Sequence, residues 1–230
     1  MSIHAIICTR DRDKVSPVTH RLVEYFVKCD IKLYIMSAAV SIFSAYKGAF
    51  DHIKPDPEDI LIFCHDDIDI REDPKSFVDK LKNLLDDDAV GFVGIAGTTF
   101  LSQNAIWWNQ DYWRMGKHRG KVTHVDKNGV EYLTEYGPPD EVVVMDGVFL
   151  AARPKVLEDI GLDKPDYLTG EWDFYDIYYT SQAFLKGYTN KILDIDVVHH
   201  SIGELVGRDS WHQNRDAFIA HNPLPIQLHP

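Results

Sequence analysis

Four side chains that can bind a metal or exchange a proton follow directly after the pattern of a buried strand. The run 60–64 is entirely apolar, and His65, Asp66, Asp67 and Asp69 come immediately after it. Carboxylates concentrated at one point repel one another, and they are destabilising beside an anionic ligand unless a cation lies between them. The pattern therefore indicates a divalent metal that carries a phosphorylated substrate, with a solvated acidic loop as the alternative.

Two adjacent histidines, His199 and His200, follow the last predicted strand, 189–195. Neighbouring side chains of an extended chain point to opposite sides, so one imidazole can face a metal while the other points away. Imidazole together with carboxylate suits manganese and tolerates zinc, whereas magnesium is less at ease with nitrogen ligands. We therefore expect Mn²⁺ rather than Mg²⁺, with purely structural histidines as the alternative.

Two further groups of residues have both a chemical and a structural interpretation. The dipeptide Asp146-Gly147 joins two apolar runs, which is typical of a hairpin turn, although glycine also lets the backbone approach a substrate closely. Glu171, Asp173 and Asp176 precede or open a helix that ends at Gly187. Acids there can complement the helix dipole, and Asp173 can be the N-cap.

Three tryptophans lie in a polar segment without a clear period. Trp107, Trp108 and Trp113 fall within residues 98–140, which we expect to form a long functional loop region. Aromatic faces combine apolar area with polar edges, so the three tryptophans are candidates for a surface on which an acceptor sugar stacks, with Trp107 and Trp108 as the chosen substrate-binding residues. Packing in the core is the competing explanation.

The elements that must position these residues alternate between strand-like runs and segments of helical period, which is the signature of an α/β layer fold. Serine or aspartate caps, two of them followed by proline, and apolar residues at helical spacing mark the predicted helices. Strands are predicted at 3–8, 31–36, 60–64, 90–95, 141–145, 148–152 and 189–195. Helices are predicted to start at Ser16-Pro17, Ser41, Asp73-Pro74, Pro154 and about Asp173.

The composition narrows the class of partner. The 230 residues carry 24 basic and 36 acidic side chains, a formal charge of -12 that disfavours nucleic acid. A single diphosphate can still be held by a metal and a few backbone amides. The three cysteines show no disulfide spacing, and no apolar stretch reaches the roughly 20 residues of a transmembrane segment. We therefore expect a cytoplasmic protein.

Taken in order, these motifs resemble the glycosyltransferase A fold, and especially the small family-two-like domain named after a streptomycin-biosynthesis protein. The resemblance implies a single-domain α/β fold of the nucleotide-diphospho-sugar transferases, with a mixed, mostly parallel central sheet flanked by helices. It further implies a nucleotide-binding half at 1–97, an acceptor-binding half at 98–221 and an irregular tail at 222–230.

The resemblance also implies roles on the donor side. In the family an Asp-any-Asp motif follows a buried strand, and its last carboxylate binds the metal that bridges the diphosphate. His65-Asp66-Asp67 occupies that register here, which makes Asp67 the first metal ligand and His65 and His199 further ligands. Thr9-Arg10, at the end of the first strand, would hold the nucleotide of a UDP- or GDP-type sugar together with Asp66 and Asp67. An alternative register places the motif at Asp67-Ile68-Asp69.

On the acceptor side, the resemblance assigns Asp146, Gly147 and Glu171 to binding of a carbohydrate or another hydroxyl acceptor. Counted back from Gly187, Asp176 falls where the family carries its general base. The implied function is a metal-dependent, inverting hexosyltransferase-like enzyme. The alternatives are a metal-dependent nucleotidyl- or phosphotransferase and a non-catalytic module that binds nucleotide sugars or carbohydrate.

Overall fold

A computed structural model describes residues 1–9, 15–201 and 209–228 of the chain. The helices are α1 (Pro17–Lys28), α2 (Ile42–Ile53), α3 (Pro74–Leu85), α4 (Gln110–Arg114), α5 (Pro154–Ile160), α6 (Tyr175–Leu185) and α7 (Asp209–His221). The strands are β1 (Ile3–Thr9), β2 (Lys32–Ser37), β3 (Ile60–His65), β4 (Ile68–Ile70), β5 (Val90–Gly94), β6 (Ala96–Thr98), β7 (Phe100–Leu101), β8 (His118–Val125), β9 (Glu131–Gly137), β10 (Glu141–Val142), β11 (Val144–Met145), β12 (Phe149–Ala152), β13 (Thr189–Ile192), β14 (Val197–His199) and β15 (Ile226–Gln227).

The first three helices begin where their capping residues predict. Ser16, Ser41 and Asp73 each accept hydrogen bonds from amides of the first turn, which satisfies donors that have no partner inside the helix. The helix predicted from about Asp173 begins at Tyr175 instead. Its N-cap position is occupied by Phe174, with a left-handed φ of 66°, so Asp173 is not the N-cap.

The central sheet has seven strands in the order β10-β13-β5-β12-β3-β1-β2. β1 is parallel to β2 and β3, β13 is parallel to β5, and β12 lies antiparallel between β3 and β5. β1, β3 and β5 are buried along almost their whole length, which is why their sequences are continuously apolar rather than alternating. The predicted fold class, a mixed and mostly parallel α/β sheet, is confirmed.

A second sheet of six strands has the order β11-β6-β8-β14-β4, with β9 paired to β8. The expectation of a long loop region at residues 98–140 is wrong, because β8 and β9 form an antiparallel hairpin there. The period of a half-buried strand is weak in this hairpin. β8 includes Gly120 and polar residues, and β9 is largely exposed, so neither strand alternates cleanly between apolar and polar side chains.

Two of the places where the chain crosses between the two sheets are acidic segments. The chain leaves the seven-stranded sheet after β3 and enters the six-stranded sheet at β4, with Asp66-Asp67 between them. A later crossing, between β11 and β12, falls at Asp146-Gly147. Since β11 pairs with β6 and β12 pairs with β3 and β5, Asp146-Gly147 is not a hairpin turn. Both segments therefore lie at the junction of the sheets.

The C-terminal part contains two elements that the sequence did not predict. Helix α7 buries Trp211, Asn214 and Phe218, and the polar Asn214 in the middle of its buried face obscures the apolar pattern. Within the segment expected to be an irregular tail, Ile226 of β15 pairs with Leu101 of β7. None of the helices in the described ranges combines the length and apolarity needed to span a bilayer.

Candidate functional site

Three side chains from separate parts of the chain converge at the junction of the sheets. His65 ends β3, Asp67 follows it, and His199 ends β14. Asp67 Oδ1 lies 3.4 Å from His199 Nε2 and 3.8 Å from His65 Nδ1. One ligand atom from each residue lies within 4.8 Å of the other two, a spacing that can surround a single cation. The sequence predicted these three residues as ligands, and the structure brings them together.

The carboxylate of Asp67 has an oxygen without a partner. Its Oδ1 atom is buried and accepts no hydrogen bond from the described residues. A buried acceptor left unpaired costs about 1–3 kcal/mol, so native structures rarely retain one without a ligand or water. The side chain as a whole is 36% exposed, which leaves the site accessible from solvent. Asp67 therefore has the accessible side chain and the free acceptor that a cation ligand requires.

The electrostatics of the cluster depend on burial and on the mutual proximity of its members. Burial alone would raise the pKa of Asp67, but His199 and His65 lower it to about 2. Burial would lower the pKa of His199, yet the adjacent Asp67 raises it. For His65, burial and the nearby His199 both lower the pKa. Asp67 is therefore ionised at neutral pH, as a metal ligand must be.

Asp69 and His200 form a separate, closed ion pair. His200 Nε2 lies 2.7 Å from Asp69 Oδ2, and Arg21 donates from Nη2 at 2.7 Å and from Nε at 3.0 Å to the same carboxylate. Both oxygens of Asp69 are therefore engaged. The register Asp67-Ile68-Asp69 is disfavoured by this arrangement, and of the two adjacent histidines it is His199 that faces Asp67.

Asp176 lies in the first turn of α6, against the Asp146-Gly147 crossing between the sheets. Its Oδ2 atom accepts a hydrogen bond from the Gly147 amide at 3.0 Å. Burial and the neighbouring charge of Asp146 raise the pKa of Asp176 to about 7. A carboxylate with a pKa near neutrality can take up a proton during a reaction and release it afterwards. This is the property required of a general base.

Glycine is required at position 147 because α6 packs against it. A Cβ atom there would lie 2.9 Å from Asp176 Cβ and would overlap the Tyr175 hydroxyl. The close approach predicted for this glycine is therefore an approach to α6. Asp146 accepts a hydrogen bond from the Val148 amide at 2.9 Å, and its charge also raises the pKa of His199. The charge of Asp146 thus acts both on Asp176 and on His199 of the cluster.

Two side chains at the site were missed by the sequence analysis. Tyr175 bonds to both His65 and Gly147, with its hydroxyl 3.0 Å from His65 Nε2 and 2.9 Å from the Gly147 carbonyl oxygen. His124 of β8 has its ring centroid 6.0 Å from that of His199. The register of β8 beside β14 would have identified His124, but the strand itself was not predicted.

The residues predicted to bind the nucleotide lie at the C-terminal ends of β1 and β3, next to His65. Thr9 is the last residue of β1, and the preceding Cys8 is in register with His65. Asp66 accepts a hydrogen bond from the Thr19 hydroxyl through its backbone oxygen at 2.7 Å, and its side chain is partly exposed. Arg10 lies outside the described residues.

The other residues predicted to bind the acceptor, Trp107, Trp108 and Glu171, do not form one group with Asp146 and Gly147. Trp107 is 2% exposed and packs edge-on against Tyr136, so its position matches the core-packing alternative. Trp108 is partly buried beside Trp211. Glu171 is paired with Lys164 at 2.5 Å, on a groove of about 650 Å³ beside the start of α2.

The chain matches a known family over almost its whole length. Residues 6–221 match the model of the glycosyltransferase-like family. The chain therefore belongs to the glycosyltransferase-like family, and this membership supports a transferase. No curated protein matches the sequence. The closer resemblance to the streptomycin-biosynthesis type stays a prediction.

Several solved structures are similar to this chain at low sequence identity. Protein A197 from STIV is 17% identical, with a TM-score of 0.51 over 87% of this chain and 86% of its own. A glycosyltransferase involved in glycosylation of the major capsid of PBCV-1 is 9% identical, with a TM-score of 0.47 over 93% and 98%. A putative glucose-1-phosphate thymidylyltransferase from Bacillus anthracis is 11% identical, with a TM-score of 0.43 over 96% and 97%.

Proposed function

We propose that the protein is a metal-dependent, inverting, hexosyltransferase-like glycosyltransferase that moves a sugar from a nucleotide-diphosphate sugar to an acceptor hydroxyl. One observation carries this proposal. The buried Oδ1 atom of Asp67, which accepts no hydrogen bond from the described residues, faces two imidazoles, and a half-buried carboxylate with a pKa of about 7, that of Asp176, lies against Gly147. Family membership supports the class of reaction, and the geometry offers candidate groups for metal binding and for proton transfer.

The donor set of the cluster fits a divalent cation, with Mn²⁺ preferred. Asp67 offers a carboxylate oxygen, and His65 and His199 offer ring nitrogens, a mixture that manganese accepts more readily than magnesium does. When bound, such a cation offsets the negative charge that develops on a departing diphosphate. His199 must give up its proton to become a ligand, so acidic conditions oppose metal binding.

Asp176 is proposed as the base for the acceptor. The acceptor oxygen forms a bond to the anomeric carbon while the bond from that carbon to the diphosphate oxygen breaks. The acceptor proton passes to Asp176, and the nucleoside diphosphate leaves with the bonding electron pair. A single displacement assisted by one carboxylate inverts the configuration at the anomeric carbon. The Gly147 amide holds Asp176 in place through its bond to Oδ2.

The donor nucleotide, of the UDP or GDP type, is proposed to lie along the ends of β1 and β3. Thr9 and Asp66 lie at those strand ends, and Arg10 follows Thr9 in the sequence.

The three cysteines are free thiols, which is compatible with a reducing compartment such as the cytoplasm.

The acceptor is proposed to be a carbohydrate that stacks on Tyr132. The Tyr132 side chain is 48% exposed and stacks on His124, with ring centroids 5.4 Å apart. His124 in turn adjoins His199, so this aromatic surface continues from the cluster onto the β8–β9 hairpin. Tyr132 has the exposed ring face that stacking requires, and the buried Trp107 does not.

The proposal is tested with the Mn²⁺-loaded protein and a panel of UDP- and GDP-sugars. We expect one donor to raise the melting temperature only when Mn²⁺ is present, because a ligand that binds the native state stabilises it. Product analysis with that donor should then show free nucleoside diphosphate and a transferred sugar of inverted configuration. Release of sugar phosphate would instead support a nucleotidyl- or phosphotransferase, and tight binding without turnover would support a binding module.

A further inference from the structure

The Tyr175 hydroxyl contacts both parts of the proposed site. The residue is 5% exposed, and its oxygen lies 2.9 Å from the Gly147 carbonyl oxygen and 3.0 Å from His65 Nε2. Gly147 is the residue whose amide binds Asp176, and His65 faces Asp67 through its other ring nitrogen. The Tyr175 hydroxyl thus connects His65 of the cluster with the Gly147 peptide that holds the proposed base, Asp176.

The directions of these hydrogen bonds follow from the number of protons available. A phenol carries one proton, and a carbonyl oxygen can only accept. The short contact between Tyr175 and the Gly147 carbonyl is therefore a bond that the tyrosine donates. Its proton is then committed, so the contact with His65 Nε2 is a hydrogen bond only if the histidine donates. The proton of neutral His65 must accordingly lie on Nε2.

This assignment determines what His65 presents to Asp67. With the proton on Nε2, the Nδ1 atom carries a lone pair, and it is Nδ1 that lies 3.8 Å from Asp67 Oδ1. A lone pair facing an ionised carboxylate is unfavourable without something positive between them. The same arrangement is the one needed when both atoms bind a cation, because a ring nitrogen must be unprotonated to be a ligand.

We propose that Tyr175 is a positioning residue, whose hydroxyl fixes His65 as the tautomer protonated at Nε2 and so presents Nδ1 as a metal ligand. This inference rests on the proposed function for its cation. A partner that binds the second nitrogen of a ligating histidine sets both its tautomer and its ring orientation, and loss of such a partner costs about 10- to 100-fold in metal affinity. Through Gly147, the same hydroxyl also supports the peptide that orients Asp176.

The chain offers a matched control one turn further along α6. Tyr179 is also buried, at 2% exposed, and its hydroxyl donates to a backbone oxygen, that of Leu162, at 2.8 Å. Tyr175→Phe and Tyr179→Phe therefore each remove one buried phenol hydroxyl that donates to a carbonyl. Among the described residues, the Tyr179 hydroxyl has no bond to His65, so the control matches the structural damage and leaves the histidine unaffected.

The experiment combines two measurements on the full chain. Titration calorimetry with Mn²⁺ alone should show affinity reduced about 10- to 100-fold by Tyr175→Phe and unchanged by Tyr179→Phe. Nitrogen NMR of the His65 ring in the metal-free wild-type protein should show the proton on Nε2, and in Tyr175→Phe a mixture of the two tautomers. The NMR measurement on the wild-type protein needs no variant to fold.

The outcomes separate this inference from the function on which it rests. If the wild-type protein binds no Mn²⁺, the proposed metal dependence is wrong, and the positioning role fails with it. If the wild-type protein binds Mn²⁺ and both variants bind it equally well, Tyr175 has no positioning role while the proposed function stands. Detection of the wild-type His65 proton on Nδ1 would overturn the inference directly.

Discussion

Two aspartate–histidine pairs lie close together where β4 adjoins β14, and their surroundings differ sharply. In the first pair, Asp67 Oδ1 lies 3.4 Å from His199 Nε2 and accepts no hydrogen bond from the described residues. In the second pair, Asp69 Oδ2 lies 2.7 Å from His200 Nε2, and Arg21 donates to both oxygens of that carboxylate. The first carboxylate has an unused acceptor, whereas the second has both oxygens engaged.

The comparison shows that the neighbours of a carboxylate, more than its sequence motif, decide whether a metal can bind. Asp67 and Asp69 are two residues apart, and the side chain of each contacts the ring of one of two adjacent histidines. Arg21 saturates Asp69 with a forked, charge-assisted interaction that a cation would have to displace. No arginine or lysine forms an ion pair with Asp67 in the described part of the chain. Only the first pair is therefore a candidate metal site.

The strongest test of this difference exchanges each aspartate for its amide. Asp67→Asn should reduce Mn²⁺ binding to an undetectable level, because it removes the anionic ligand of the cluster. Asp69→Asn is the matched control and should retain Mn²⁺ binding close to that of the wild-type protein. Titration calorimetry measures both. Retention of metal binding by Asp67→Asn together with its loss in Asp69→Asn would reverse the assignment of the two pairs.

A second test leaves both pairs intact and removes the proposed base. Asp176→Asn should lower the rate of sugar transfer by about 100- to 10,000-fold, the usual contribution of general-base catalysis. Calorimetry should show unchanged Mn²⁺ affinity, because Asp176 is not one of the three ligands. Wild-type turnover in Asp176→Asn would show that another group accepts the proton.

The third test uses pH. Burial and the charge of Asp146 raise the pKa of Asp176 to about 7, so the carboxylate is protonated below that value and able to act as a base above it. With metal and donor saturating, the transfer rate should rise by about tenfold from one pH unit below this pKa to one unit above it. A rate that falls with rising pH over the same interval would exclude Asp176 as the base.

A fourth test concerns the aromatic surface of Tyr132 and His124, next to the Asp67–His199 pair. Tyr132→Ala should raise the KM for a carbohydrate acceptor by up to about tenfold, since stacking on an aromatic ring contributes roughly 0.5–1.5 kcal/mol. Leu133→Ala is the control, because Leu133 is the next residue of β9, is 55% exposed and points to the opposite face of the strand. Equal KM values for the two variants would place the acceptor elsewhere.

The smallest expected effect is on the stability of the fold, and it concerns the ion pair of Asp69 with His200 and Arg21. Burial would raise the pKa of Asp69, but Arg21 and His200 outweigh it and lower that pKa. The ion pair therefore contributes stability above the pKa of Asp69 in the unfolded chain, and this contribution is lost as pH falls through the lowered, folded-state pKa.

The size of this contribution to stability follows from the exposure of the ion pair to solvent. Arg21 is half exposed, so Asp69→Asn should lower the free energy of unfolding at neutral pH by only roughly 1 kcal/mol. Urea unfolding at neutral and acidic pH measures the difference between variant and wild type. That difference should shrink in acid, and a constant difference would show that Asp69 is not stabilised by its charge.

The sequence predicted those parts of the fold and site that depend on local patterns. Continuous apolar runs located the buried strands, and the caps Ser16 and Asp73 located two helices. The end of β3 then gave His65 and Asp67, because the residue types follow directly after the strand. The alternation of an extended chain also predicted that His199 and His200 would face different partners.

The remaining parts depend on contacts between distant segments. No local sequence pattern shows that the carboxylate of Asp69 is bound by Arg21, which lies 48 residues earlier in the sequence. His124 and Tyr132 join the site only through the pairing of β8 with β14 and β9, and those strands lack a clear period. The polar surroundings of Trp107 suggested an exposed ring, but the residues that cover it belong to other segments.

The crossing of the chain between the two sheets has a mechanical consequence. His65 belongs to the seven-stranded sheet, and His199 to the six-stranded sheet, with Asp67 in the short connection between them. A cation held by all three would act as a cross-link that ties the two sheets to each other. Amides on both sides of the junction should then exchange more slowly with deuterated solvent when Mn²⁺ is added, before any sugar is present.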